Sequence, residues 1–100
     1  MYGTVANMRI KAGHGDALLA LIKEWNTERK PKVPGALNGY VFKLDSDPQD
    51  WILIGLFQDK DTYMANADDP EQHAWFMKMR DLLEADPEWQ DGEYVAGSLS

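Results

Sequence analysis

Between residues 51 and 57 the chain reads Trp51-Ile52-Leu53-Ile54-Gly55-Leu56-Phe57, apolar at odd and even positions alike. A strand sends successive side chains to opposite faces, so Trp51, Leu53 and Phe57 line one side of a sheet and Ile52, Ile54 and Leu56 the other. Both faces therefore need cover. Elsewhere the periods are simpler. Gly3 to Ile10 sets Ala6, Met8 and Ile10 against Val5, Asn7 and Arg9 and predicts a first strand, broken by Gly13-His14-Gly15. From Asp16 to Arg29, Leu18, Leu21, Ile22 and Trp25 recur at helical spacing opposite Lys23, Glu24 and Glu28. Lys30-Pro31-Lys32-Val33-Pro34-Gly35 cannot prolong that helix, because proline lacks the amide donor and pushes its predecessor toward extended geometry.

Leu37 to Leu44 is a second strand, joined to the third as a hairpin through Asp45-Ser46-Asp47-Pro48-Gln49-Asp50. Asp59 is placed to cap a short helical turn bearing Tyr63 and Met64. Asp69-Pro70-Glu71-Gln72 then opens a second long helix, with Asp at the cap, proline at the first position and Gln72 available to close a capping box. Its apolar stripe is Trp75, Phe76, Met79, Leu82 and Leu83, and Asp86-Pro87 marks its end. Glu93 to Gly97 is expected as a short last strand. The order β-α-β-β-α-β defines an α+β, ferredoxin-like domain, a four-stranded antiparallel sheet with two long helices on one face.

Two helices on one face leave the other bare. Keeping three large side chains of that face wet would forfeit roughly 5–9 kcal/mol, comparable to the whole stability of an ordinary domain. A second copy of the chain is the expected cover, which makes the protein a homodimer.

Composition narrows the chemistry. The 100 residues, 44% of them hydrophobic, suit a single domain over 1–100. There is no cysteine, which removes disulfides, thiol nucleophiles, iron–sulfur clusters and thiolate zinc sites. The formal charge of −7 repels phosphate backbones and anionic lipid, so neither nucleic acid nor a membrane is an expected partner. No apolar run is long enough to span a bilayer and the N-terminus lacks a signal-peptide pattern, so a cytoplasmic location is expected. No glycine-rich phosphate loop or dinucleotide fingerprint supports flavin or nicotinamide, and no cofactor is expected. Asp68, Asp69, Glu71 and His73, like Asp45, Asp47 and Asp50, are explained by cap and turn duties, so no metal is expected.

Several stretches together resemble the antibiotic biosynthesis monooxygenase family of dimeric α/β-barrel proteins. They are the first strand ending in Lys11-Ala12-Gly13, Val33-Pro34-Gly35 before Gly39-Tyr40, Trp51-Ile52-Leu53-Ile54, Phe57-Gln58-Asp59 before Tyr63, and Ala67-Asp68-Asp69-Pro70 before Trp75 and Arg80. The resemblance runs from about Tyr2 to Val95 and implies dimers whose two sheets close into a barrel. It also implies a range of activities: cofactor-independent oxygenation of polycyclic phenols, quinol oxidation and haem degradation. Family membership alone selects none of them.

The residues suggest where chemistry would sit. His73 and Arg80 lie seven positions apart, about two turns, on one flank of the second long helix beside the Trp75–Phe76–Met79 stripe. Arg80 can hold a phenolate or enolate oxygen and His73 can take or return a proton near neutral pH. Equally, Arg80 can pair with Glu84 and His73 with Asp69 as ordinary surface contacts. Trp75 and Phe76 offer a stacking wall for a flat ligand, with Trp25 and Met79 more simply read as core. Tyr63 and Asn66, on the short turn, are placed to lid the same cleft and donate hydrogen bonds, although Asn66 can also serve local backbone. Tyr40, on the second strand, is a further candidate contact, alternatively core or interface.

For haem, the branch implied by the resemblance places an asparagine on the first strand at the position of Ala6, a tryptophan near Asn66 and an iron-ligating histidine near Phe76. Asn7 should face the opposite side, and His73 comes about one turn early. The expected function is therefore a cofactor-independent monooxygenase acting on a flat phenolic, anthrone or quinol-type molecule in a helix–sheet cleft. Catalysis would fall to Arg80, His73 and Asn66, and binding to Trp75, Phe76, Tyr63 and Tyr40. A non-catalytic barrel binding a small metabolite, its extreme case a cleft filled by side chains, is the alternative, with a haem-degrading oxygenase ranked behind it.

Overall fold

A computed structural model describes residues 1–97. Strands β1 (Tyr2–Arg9), β2 (Ala36–Lys43), β3 (Asp50–Phe57) and β4 (Glu88–Glu93) form one sheet in the order β2-β3-β1-β4. Every pairing is antiparallel. Helix α1 (Gly15–Glu24) runs into a widened π-helical turn at Trp25–Arg29 and a 3-10 turn at Lys30–Lys32; α2 (Lys60–Ala67) and α3 (Pro70–Arg80) follow β3. This is the ferredoxin-like arrangement the hydrophobic periods predict.

Register assigns the faces. Trp51 pairs with Met8, Leu53 with Ala6 and Phe57 with Tyr2, all toward the helices, where Met8, Ile10, Leu18, Leu21, Trp51, Trp75, Met79 and Leu83 make the core. Ile52 pairs with Asn7 and Phe42, and Ile54 with Val5 and Tyr40, on the opposite face. Among the described residues that face carries no helix, and Tyr40 and Phe42 are 56% and 52% exposed on it. Leu56 is nevertheless buried there, beside Gly3, over which Tyr94 folds to donate from its hydroxyl to the Gly55 carbonyl oxygen at 3.1 Å. A Cβ at Gly3 would fall 1.8 Å from that same oxygen, so only glycine fits.

Local chemistry sets the helix starts. Asp59 accepts from the Thr62 amide at 2.8 Å while Thr62 Oγ1 accepts from the Asp59 amide, a complete capping box that draws out a full eight-residue α2 where the spacing predicts one short turn. These amide and hydroxyl hydrogen bonds from Thr62 hold the Asp59 carboxyl below its usual range. Asp69 caps α3 through the Glu71 amide at 2.9 Å with Pro70 at the first position, as predicted. Gln72, however, does not close that box; its side chain is drawn away to Trp25.

Three boundaries differ from expectation. Helix α3 stops at Arg80 rather than near Asp86, because Leu83 crosses to bridge Ile10 and the Lys11 amide donates to Leu82 O at 2.9 Å. A tight turn places Leu83 in the core as well as a helix would, so the apolar stripe cannot tell the two apart. The last strand is Glu88–Glu93 rather than Glu93–Gly97. It is an edge strand with all six residues exposed, held by backbone pairing to β1, so it needs no apolar alternation. Finally, the helix predicted to Arg29 loses α-helical geometry after Glu24.

Candidate functional site

The π-helical turn carries Trp25 and Arg29 against the junction of α2 and α3. Trp25 Nε1 donates to Gln72 Oε1 at 2.8 Å. Arg29, with only 12% of its side chain exposed, spreads its fork over three acceptors: Nη1 meets Glu71 at 2.8 Å, and Nη2 meets Asn66 Oδ1 at 3.2 Å and Asp69 at 3.6 Å. Its Nε is buried without a partner. A guanidinium only donates, so Asn66 must turn its oxygen toward Arg29, which leaves its two amide hydrogens for the other side.

That other side is a cavity of about 430 Å³ between the helices and the sheet, a size typical of small-molecule sites. The cleft is open, which removes the filled-cleft form of the alternative reading. Trp25, Trp75 and Phe76 form the helix wall, Val41 and Leu53 part of the sheet wall. Trp25 and Trp75 meet edge to face at 6.4 Å, and Phe76 and Trp89 lie 5.9 Å apart, so the lining carries two aromatic pairs. The Trp75 indole N–H is used by Leu21 O at 3.2 Å, so this residue offers the ligand a ring and not a donor.

Five residues predicted for the site meet here: Asn66, His73, Trp75, Phe76 and Tyr63 all line the cavity, His73 from an exposed position at its rim. Tyr63 does so with its hydroxyl already committed, donating to Asp91 Oδ1 at 2.7 Å. Burial and that hydrogen bond push its phenol well above the ordinary tyrosine range, so it stays protonated.

Two predicted residues stand elsewhere. Arg80 lies two turns beyond His73, about 10 Å along the axis, where it pairs with Asp86 and donates to Leu83 O at 3.2 Å. It closes the turn after α3 and is outside the cavity. Its expected partner Glu84 is taken by Arg9 at 2.7 Å. Tyr40 has the parity of Ile54, so it projects from the opposite sheet face, where its hydroxyl accepts from Asn38 at 3.3 Å. Asn7 shares that face, paired with Ile52, and cannot join His73 in a haem pocket.

Sequence reasoning missed Lys30, Asn26, Gln72 and Asp91 on the cavity and Arg29 behind it. Lys30 stood out only as part of a helix-breaking Lys-Pro-Lys run. Among the described residues no three His, Cys, Asp or Glu side chains gather as a metal site, and no helix is long and apolar enough to cross a membrane.

A four-stranded ferredoxin-like sheet with an aromatic-walled cavity under its helices defines the class. No protein-family model and no curated protein sequence matches the chain. Solved structures do. SnoaB from Streptomyces nogalater, a cofactor-independent oxygenase, here in an asparagine-to-alanine variant, superposes at TM-score 0.83 with 10% identity, covering 99% of this chain and 97% of that one. A protein provisionally named an antibiotic biosynthesis monooxygenase from Chloroflexus aurantiacus J-10-fl gives 0.77 with 25% identity over 97% and 95% of the chains. Another of that provisional name, from Deinococcus radiodurans, gives 0.79 with 14% identity over 98% and 96%. The chain has the fold of the antibiotic biosynthesis monooxygenases.

Proposed function

We propose that this chain is a cofactor-independent monooxygenase acting on a flat phenolic, anthrone or quinol-type molecule in the helix–sheet cavity, as a cytoplasmic homodimer. The observation that carries this reading is Asn66: its oxygen is pinned by Arg29, so two N–H donors are preset at the wall of a largely apolar cavity. Such a donor is what a developing enolate or phenolate oxygen requires, and fixing it beforehand avoids reorganisation during reaction. That SnoaB, of the same fold, is a cofactor-independent oxygenase supports the oxygenase reading, and the exposed apolar sheet face supports the dimer.

The substrate carries the redox work. Deprotonation of an anthrone gives an electron-rich anion, which passes one electron to dioxygen; the radical pair joins as a carbon-bound peroxide anion, the proton first taken is returned to make the hydroperoxide, and loss of water leaves the quinone. The sum is anthrone plus O2 to quinone plus water. The protein stacks the rings on Trp75 and Phe76, holds the anion's oxygen on Asn66, limits water, and accepts the proton at His73 on the rim. Tyr63 acts by holding Asp91 rather than by donating to substrate. With a formal charge of −7 the molecule as a whole does not attract an anion, so the stabilisation is local.

With 1,8-dihydroxyanthrone as substrate, Asn66→Ala is expected to lower kcat for oxygen uptake about a hundredfold while leaving the thermal midpoint within a few degrees of wild type. Uptake at the wild-type rate would remove Asn66 from the reaction.

A further inference from the structure

The floor of the cavity is unusual in one row. Across the helix side of the sheet, Gly39 pairs with Gly55, Gly55 with Thr4, and Thr4 with Asp91, and all four line the cavity. The neighbouring row carries Val41, Leu53, Ala6 and Trp89. Backbone geometry does not demand either glycine, since neither has a positive φ. A Cβ at Gly39 would meet only Ile54 O at 3.8 Å, and one at Gly55 only the Thr4 methyl at 3.7 Å, both ordinary contacts. The missing side chains therefore open a slot running across the strands, bounded below by bare peptide. From β2 to β4 the slot crosses three strand spacings, about 14 Å.

The lining carries one formal charge of each sign. Among the described residues lining the cavity, Lys30 is the sole lysine or arginine and Asp91 the sole carboxylate. Lys30 stands on the connection into β2, is half-buried, and forms no ion pair among the described residues. At the β4 end Asp91 gives one oxygen to the Tyr63 hydroxyl, which leaves the other free to accept from a ligand. A partly desolvated ammonium without a counter-charge favours an anion beside it.

We infer that the slot takes an elongated, flat, fused-ring acid laid over Gly39 and Gly55 across the strands, its carboxylate at Lys30 and a hydroxyl donating to Asp91. This rests on the cavity being the ligand site proposed above, and it adds the ligand's length, its direction and the acid at one end. Glycine at both floor positions fixes ring thickness and width; Lys30 selects the charged end.

Binding without turnover tests it. Anthraquinone-2-carboxylate and the matching carboxamide are titrated into the whole protein under nitrogen, following quenching of the cavity tryptophans. The carboxylate is expected to bind about ten- to a hundredfold more tightly. Lys30→Met is expected to erase that preference. Gly39→Val is expected to weaken both ligands about tenfold or more, with Gly39→Ala intermediate; Gly92→Ala, whose added methyl meets nothing within 4 Å, is expected to match wild type. Equal affinity for the two probes, no binding of either, or wild-type binding by folded Gly39→Val and Gly39→Ala would each overturn the inference. A protein that oxidises anthrone yet ranks the probes equally loses only this inference; one that ranks them as expected yet consumes no oxygen loses only the oxygenase reading.

Discussion

Ile52→Lys is expected to split the proposed homodimer into monomers. Ile52 lies centrally on the helix-free face, between Asn7 and Phe42, with Ile54, Val5 and Tyr40 alongside. If a second copy covers this face, two-fold symmetry brings the change into the interface twice. Losing two buried isoleucines costs about 3–6 kcal/mol, raising the dimer dissociation constant roughly 10²- to 10⁴-fold, before the cost of desolvating two ammonium groups. Sedimentation equilibrium and a concentration-dependent melt would read the shift. If the face is instead wet in solution, lysine there is harmless, and a variant with wild-type mass and melting temperature would reject the dimer. The same substitution on the helix side, at Leu53, would not discriminate, since it would disrupt the cavity in either case.

Arg29→Ala should reduce turnover about as much as loss of Asn66 itself. Arg29 does not line the cavity; it sits behind Asn66 and sets which end of that amide faces inward. Without it the amide rotates freely between donor and acceptor orientations, and misplacing a catalytic group by about 1 Å can cost roughly 10²-fold. The loss is expected in kcat more than in KM. Arg29→Lys is expected to rescue little, because one ammonium cannot reproduce a fork that spans Glu71 and Asn66. A structural role alone would also cost stability, about 1.5–3 kcal/mol for the lost charged hydrogen bonds, so the separating measurement is the double variant. Arg29→Ala combined with Asn66→Ala should be scarcely slower than Asn66→Ala alone. Fully multiplicative losses would show that Arg29 acts by some other route.

Much of the fold was legible in the sequence because burial leaves a period. The doubly apolar run from Trp51 to Phe57 announced a central strand, and the Asp59 and Asp69 caps announced a short helical turn and a long helix, because caps answer to nearest neighbours and strand periods to burial. Strand β4 was not legible. An edge strand whose residues are all exposed is held by backbone pairing, and Trp89 and Asp91 owe their places to Ala6 and Thr4, far away in sequence.

The site divides along the same line. Trp75, Phe76 and His73 follow from helical spacing, and Tyr63 and Asn66 from their place on the short turn before that helix. Arg80 looked equivalent to His73 on a helical wheel, but the chain leaves the helix there and Asp86 captures the guanidinium. Tyr40 was a matter of parity, because its pairing with Ile54 turns it to the far face. Arg29 was hidden because its partners, Asn66, Asp69 and Glu71, lie across the fold, and Lys30 because it meets the cavity only once the chain has folded over the sheet; no local pattern records either meeting. The glycine floor required the register of two strand pairs before Gly39, Gly55 and Thr4 could be seen as one row.

The central claim is that the cavity under α2 and α3 binds an oxidisable flat phenol and lets it react with dioxygen. An oxygen electrode trace with 1,8-dihydroxyanthrone, run beside protein-free buffer and paired with quantitation of the quinone, tests it most directly. The account predicts saturable uptake well above the buffer rate, one O2 per quinone formed, and suppression in Gly39→Val. Uptake no faster than buffer, or undiminished with that valine narrowing the cavity, would contradict it.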